Sequence, residues 1–118
     1  MKIPDRYAQP VDPLQDLCPT RAALDVIRGR WKPSILYVLA DGTARFGTLQ
    51  SRLPGVTAQA LTVQLRQLEA DGVVSRTVHA EIPVRVDYAL TPLGHTLSDL
   101  MKQLEIWGQE YLRRKAAR

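Results

Sequence analysis

The residues with most to offer chemically fall into three groups: a lone cysteine, two histidines, and hydrogen-bonding side chains repeated at helical spacing. Cys18 stands directly before Pro19, with Arg21 close behind. At the start of a helix, the backbone dipole and a guanidinium both favour thiolate, the reactive form of the side chain. The competing reading is a small packing residue. As the only cysteine, Cys18 permits no intramolecular disulfide and no cysteine-based zinc site. Any disulfide must join a second subunit or a small thiol. His79 and His95 are far apart, with no carboxylate at metal-ligand spacing, and the chain contains no GxSxG, P-loop or HExxH motif. Neither catalysis, nor a bound metal, nor an organic cofactor is expected.

Gln59, Val63, Arg66 and Gln67 point away from the apolar face of a helical stretch, with Ala60 and Thr62 on its flanks, and Gln59, Thr62, Val63 and Arg66 are the candidate readers. Their chemistry is that of base-edge recognition. Glutamine can bond bidentately to adenine, threonine can accept or donate, valine can contact a thymine methyl, and arginine can take guanine or a phosphate. Thr57, just ahead of them, can serve a phosphate at the helix N-terminus. The alternative is an ordinary solvated face. Arg76, His79 and Arg85 lie on two strand-like runs that follow. An arginine there can enter a minor groove, whose potential is negative. For Arg85 the alternative is an ion pair with Glu81 or Asp87, and for His79 it is a plain exposed histidine. Arg45, Lys32 and Arg52 fall near helix ends, where phosphate contacts or merely solvated charge are expected, and Arg30 can pair with Asp25.

The elements that must hold these groups can be read from periodicity. A first helix spans about Thr20 to Arg28, with Pro19 suited to its first turn and Gly29 ending it. A second starts at Trp31-Lys32-Pro33 and carries Ile35, Leu36, Val38 and Leu39 before Asp41-Gly42 stops it. A short strand at Ala44-Arg45 precedes a third helix, Phe46 to Arg52, and the turn Pro54-Gly55. Thr57 caps a fourth helix, Ala58 to Asp71, closed by Gly72. In it Ala58, Leu61, Leu65 and Leu68 fall within an arc of about 80°, which predicts the buried face.

From Val73 the period changes to two. Val74 and Val78, then Val84, Val86, Tyr88 and Leu90, alternate with polar residues across a turn at 80–83, predicting a β-hairpin with one face on the core. Thr91-Pro92 opens a last helix to about Arg114. Its stripe of Leu93, Leu97, Leu100, Met101, Leu104, Trp107 and Tyr111 lies within about 120° of arc. Beyond about Leu104 this helix outruns a compact body. Leu97, Leu100, Leu104, Trp107 and Tyr111 are therefore expected to be covered by a second copy in an isologous dimer. The same seam can admit an apolar effector.

The 118 residues suffice for one core. Apolar residues at 45% and charged residues at 24% describe a globular chain rather than a disordered one. The net charge is +4, carried by 12 Arg and 4 Lys, and arginine forks match phosphate oxygens. Residues 1–20 sum to −1, 21–90 to +3 and 91–118 to +2, so the positive charge sits in the body and tail. The opening MKIPDRYAQP has no apolar core of a secretory leader, and no apolar run reaches the roughly 18–20 residues of a membrane span. A cytoplasmic, reduced protein with no membrane partner is expected. The organisation reads as an N-terminal arm (1–17), a DNA-binding unit (18–91) and a C-terminal dimerisation helix (92–118) within one domain. The seven aromatics mostly occupy core positions and form no stacking platform for RNA.

Two helices joined across Pro54-Gly55 and followed at once by a hairpin make a winged helix-turn-helix: mainly α, with a small β-hairpin wing, dimerising through terminal helices. The chain resembles HxlR-type winged helix-turn-helix transcriptional regulators. The resemblance is carried by Cys18-Pro19, Gly29-Arg30-Trp31-Lys32-Pro33, Asp41-Gly42, Arg45-Phe46, Leu53-Pro54-Gly55-Val56-Thr57, Leu61-Thr62 and Leu65 through Val74. The wing Glu81-Ile82-Pro83-Val84-Arg85-Val86-Asp87-Tyr88 and Leu90-Thr91-Pro92-Leu93-Gly94 complete it. Departures are Val84, where a second proline is frequent, and VIRGR at 26–30.

The resemblance spans residues 17–112 and implies a homodimeric regulator, most often a repressor, acting on a double-stranded operator. It also implies that a cysteine at the place of Cys18 can sense electrophiles or oxidants. Two other readings stay open: a winged-helix module that binds proteins without reading DNA, and a regulator sensing a small apolar ligand at the dimer seam.

Overall fold

The computed structural model describes residues 18–117, so the predicted arm at 1–17 lies outside the described residues. The elements are α1 (Pro19–Ile27), α2 (Lys32–Ala40), β1 (Ala44–Arg45), α3 (Phe46–Ser51), α4 (Ala58–Ala70), β2 (Val74–His79), β3 (Arg85–Leu90) and α5 (Pro92–Ala116). Each predicted element is present, with ends displaced by a residue or two. The strands form one antiparallel sheet in the order β1-β3-β2, so the hairpin gains a third strand from Ala44-Arg45.

The core joins Ile35, Leu36 and Leu39 of α2 to Leu49 of α3 and to Leu61, Leu65 and Leu68 of α4, closed by Val73, Val74, Tyr88 and Leu90 from the hairpin root. Leu53 and Val56 are buried on either side of Pro54-Gly55 and pin the turn between α3 and α4. Gly55 has φ +89° there, a conformation in which a side chain would be strained. Ala58 departs from expectation. It is exposed, because the first turn of α4 projects beyond the core that begins at Leu61.

The end of α4 is fixed by a Schellman motif. Gly72, at φ +76°, donates to the Glu69 carbonyl at 2.9 Å, and Val73 donates to the Leu68 carbonyl at 3.1 Å. Thr91 then ties the start of α5 to the same place. Its hydroxyl donates to the Gly72 carbonyl at 2.6 Å and accepts from the Gly94 amide at 3.0 Å, while its own amide donates to the Val73 carbonyl at 3.1 Å. Gly94 is buried against that turn, and an added Cβ would overlap the Val73 carbonyl oxygen. Gly94→Ala is therefore expected to cost about 2–3 kcal/mol, read as a lowered thermal midpoint.

Candidate nucleic-acid interface

Thr57 sets the start of α4. Its backbone is extended and its Oγ1 accepts from the Ala60 amide at 3.0 Å, which leaves the hydroxyl proton for another acceptor. From there Gln59, Thr62, Val63 and Arg66 occupy an arc of about 100°, opposite the buried Leu61, Leu65 and Leu68. All four are exposed, Val63 at 50%. The Thr62 hydroxyl donates to the Ala58 carbonyl at 2.8 Å, so its oxygen faces outward as an acceptor only. This face offers an amide, an acceptor oxygen, an apolar branch and a guanidinium along a helix of 13 residues, roughly 20 Å.

The arginines divide by what already holds them. Among the described residues, Arg45, Arg52, Arg66 and Arg76 are exposed and engage no carboxylate. Others are occupied. Arg28 lies 3.7 Å from Asp25, and Arg30 stacks over Trp31 at 4.8 Å, so the expected Arg30–Asp25 pair is replaced by Arg28–Asp25. Arg113 and Arg114 both grip Glu110, and their hydrogen bonds hold its carboxyl below the ordinary glutamate value. Arg45, Arg52, Arg66 and Arg76 lie on or beside β1, α3, α4 and β2.

Two expected phosphate or groove contacts are corrected. Lys32 is only 7% exposed, withdrawn into the first turn of α2 beside the core, and does not belong to the surface set. Arg85 is held by carboxylates. Its Nη1 lies 3.6 Å from Glu81 and its Nε 3.4 Å from Asp87, too poorly aligned in the second case for a hydrogen bond. Asp87 also meets His79 Nε2 at 2.9 Å. The register explains this cluster: His79 pairs with Arg85 and Thr77 with Asp87 across the ladder, so all four share one sheet face. The ion-paired alternative for Arg85 is the one observed.

Toward its tip the hairpin leaves the core. Val78 is 51% exposed and Val84 66%, although both follow the apolar alternation, and Ile82 at the turn is fully exposed. The alternation predicts a face, but not where along the strands the body ends. An apolar triplet, Ile82-Pro83-Val84, inside a turn was the available signal.

Cys18 is the N-cap of α1. Its Sγ accepts from the Arg21 amide at 3.3 Å, and the residue is 7% exposed. On α5 the apolar stripe splits. Leu97 and Met101 are half-buried against the chain's own core. Leu100 (45%), Leu104 (44%), Trp107 (67%) and Tyr111 (48%) are exposed, and the two aromatic rings stack at 5.4 Å. Tyr37 on α2, one of the aromatics expected mostly in core positions, is instead 63% exposed and lines an open groove of about 1010 Å³ between α2 and α5, with Trp31, Leu53, Met101 and Leu104. No described helix is long and apolar enough to cross a membrane, and the described residues hold no cluster of metal-ligating side chains.

Comparison with known proteins agrees with this arrangement. The chain is 43% identical over 94 residues to the HTH-type transcriptional regulator YdeP of Bacillus subtilis, covering 80% of this chain and 73% of that one. It superposes on the reduced form of the redox regulator HypR with a TM-score of 0.80 and 39% identity, over 86% of this chain and 100% of the other. It likewise resembles the reduced transcriptional regulator YodB of B. subtilis, with a TM-score of 0.73 and 32% identity, over 80% and 93% of the two chains. The description HxlR-like helix-turn-helix matches residues 26–116, which takes in α2 through α5 with the whole wing. With its two helices, three-stranded wing and long terminal helix all within that match, the chain belongs to the HxlR-like family of helix-turn-helix transcriptional regulators.

Proposed function

We propose that this chain is a homodimeric, sequence-specific repressor that lays α4 in the major groove of an operator. Gln59, Thr62, Val63 and Arg66 read base edges, while Thr57, Arg45 and Arg76 contact phosphates. The observation that carries this reading is the exposed face of α4. Its hydrogen-bonding groups lie opposite the buried leucines, and among the described residues no carboxylate holds its guanidinium. The repressor sense rests on the family resemblance. The signal is proposed to enter through Cys18, as an oxidant or electrophile. In support, Cys18 caps α1, and relatives of this fold include redox regulators.

A mobility-shift series with DNA from upstream of the gene tests the reading. Binding should weaken steeply with salt, with a slope set by the number of phosphates contacted, and should favour one sequence over random DNA. Gln59→Ala should lose about 1–3 kcal/mol on the operator and relax the preference at one position per half-site. Equal loss on operator and random DNA would show that Gln59 is no base reader. Binding that ignores both salt and sequence would favour a protein-binding module instead. The groove between α2 and α5 supports the further reading of an apolar effector at the seam. Saturable quenching of Trp31 and Trp107 emission by an apolar inducer, with release of DNA, would establish it.

A further inference from the structure

The groove between α2 and α5 offers more than an apolar lining. Trp31 and Tyr37 stand on one side, Met101 and Leu104 on the other, and Leu53-Pro54 belong to the turn ahead of α4. Charged side chains of both signs share it: Asp41 and Arg52, then Lys102 and Glu105 on α5. Among the described residues none of these four is ion-paired. At about 1010 Å³ the groove lies at the top of the range of small-molecule sites, about 300–1,000 Å³, and unlike most of them it is open along its length. Aromatic walls, prolines and unpaired charges of both signs suit an extended peptide better than a compact ligand.

The chain carries such a peptide ahead of Cys18. Residues 1–17 hold prolines at 4, 10 and 13, the apolar Ile3, Tyr7, Val11 and Leu14, and charges of both signs. Each proline fixes φ near −65°, so a run of this kind has less freedom to lose on docking. The distances agree. Cys18 is separated from Ile27, which lines the groove, by the nine residues of α1, or about 14 Å. An extended proline-bearing chain covers about 3.1 Å per residue, so residues 13–17 return across the same distance. Tyr7-Ala8-Gln9-Pro10-Val11-Asp12 then reach the groove, with Arg6 at their far end.

We propose that residues 7–12 lie in the α2/α5 groove of their own chain as a built-in ligand. Tyr7, Pro10 and Val11 rest against the aromatic side, Asp12 turns to Arg52 or Lys102, and Arg6 to Asp41 or Glu105. Tethering makes weak contacts sufficient. At an effective concentration in the millimolar range, a groove affinity of only about 0.1 mM keeps the segment docked roughly nine-tenths of the time. Docked there, it touches both α5 and the turn ahead of α4 and braces the angle between them. Trp31 reaches the same turn, since the end of its ring is 4.0 Å from the position a Cβ on Gly55 would take. An apolar effector entering the groove has to displace the segment and so frees that angle.

Two measurements on the full chain test this. Trypsin should cut after Arg6 about 10-fold more slowly in the wild type than in the double variant Tyr37→Ala/Arg52→Glu, because cleavage follows the undocked fraction. Both replaced side chains are exposed, so an unchanged thermal midpoint is expected. Equal cleavage rates would overturn the proposal. The second measurement leaves the groove unaltered. A nitroxide on Gln9→Cys, in a Cys18→Ser background whose serine can still cap α1, should broaden the NMR signals of the Trp31 indole and the Met101 methyl. Absence of broadening at the groove would overturn the proposal. Equal broadening between chains, in a mixture of spin-labelled chains and isotope-enriched unlabelled ones, would overturn it too, by giving the groove to the segment of a second copy.

Discussion

Trp107→Ala is expected to convert the protein from dimer to monomer at micromolar concentration and to remove operator binding. The ring is 67% exposed on an isolated chain and stacks on Tyr111, 48% exposed, at an interplanar angle of 8°. With Leu100 and Leu104 on the same face, this is an apolar strip on the part of α5 that runs past the core. Aromatic anchors at the centre of such a strip typically account for about 2–4 kcal/mol of association. Two subunits must be joined to engage two half-sites about one helical turn apart, so loss of the dimer should lower operator affinity by two orders of magnitude or more. Sedimentation gives the first readout and a shift assay the second. A variant that remains dimeric would place the seam elsewhere, with Leu24 at 51% and Tyr37 at 63% exposure as the next surfaces to examine.

Oxidant or quinone treatment is expected to lower wild-type operator affinity by about 5–150-fold, and to leave Cys18→Ser unaffected. The geometry gives the reason. Sγ accepts from the Arg21 amide at the first turn of α1, and only 7% of the residue reaches solvent. An adduct or mixed disulfide has no room at that position, so it must break the cap and displace the start of α1. Because α1 packs on α2, which in turn packs on α5, the displacement reaches the proposed dimer surface. A shift of a few ångströms between the two copies of α4 would spoil their match to successive half-sites. Burial restricts access to the thiol, and its alkylation rate at neutral pH measures how far. If Cys18→Ser and wild type respond alike to the oxidant, Cys18 is a packing residue and the signal enters elsewhere.

Much of the fold was legible because its signals are local. The Thr57 and Thr91 caps, the Gly72 stop and the change of period from 3.6 to 2 at Val73 each depend on a few neighbouring residues, and each appears in the structure. The exposed face of α4 was legible for the same reason. Periodicity separates Gln59, Thr62, Val63 and Arg66 from Leu61, Leu65 and Leu68 without reference to any other element.

What failed were several expectations that depended on where the body ends or on a partner distant in sequence, although the reach of α5 beyond the body and the ion pairing offered for Arg85 are both observed. Ala58 follows the apolar period of α4 but starts before the core does, and Val78 and Val84 follow that of the strands but lie beyond it. Leu97 and Trp107 share one helical stripe, yet the first is half-buried against the core and the second is exposed. Lys32 had the residue type of a phosphate contact and a buried position. Arg85 had the position of a groove contact, but the ladder register brings Asp87 and His79 to its own sheet face.

The sequence by itself therefore determined which elements form, in what order, and which α4 side chains face away from the core. Hydrophobic period and capping act over a few residues and need no third dimension. Tertiary structure alone decided which charges remain free and which apolar side chains stay uncovered. Those depend on strand register and on the finite extent of one core, through which a carboxylate eight residues from His79 comes within 2.9 Å of it and Val78 and Val84 stay uncovered.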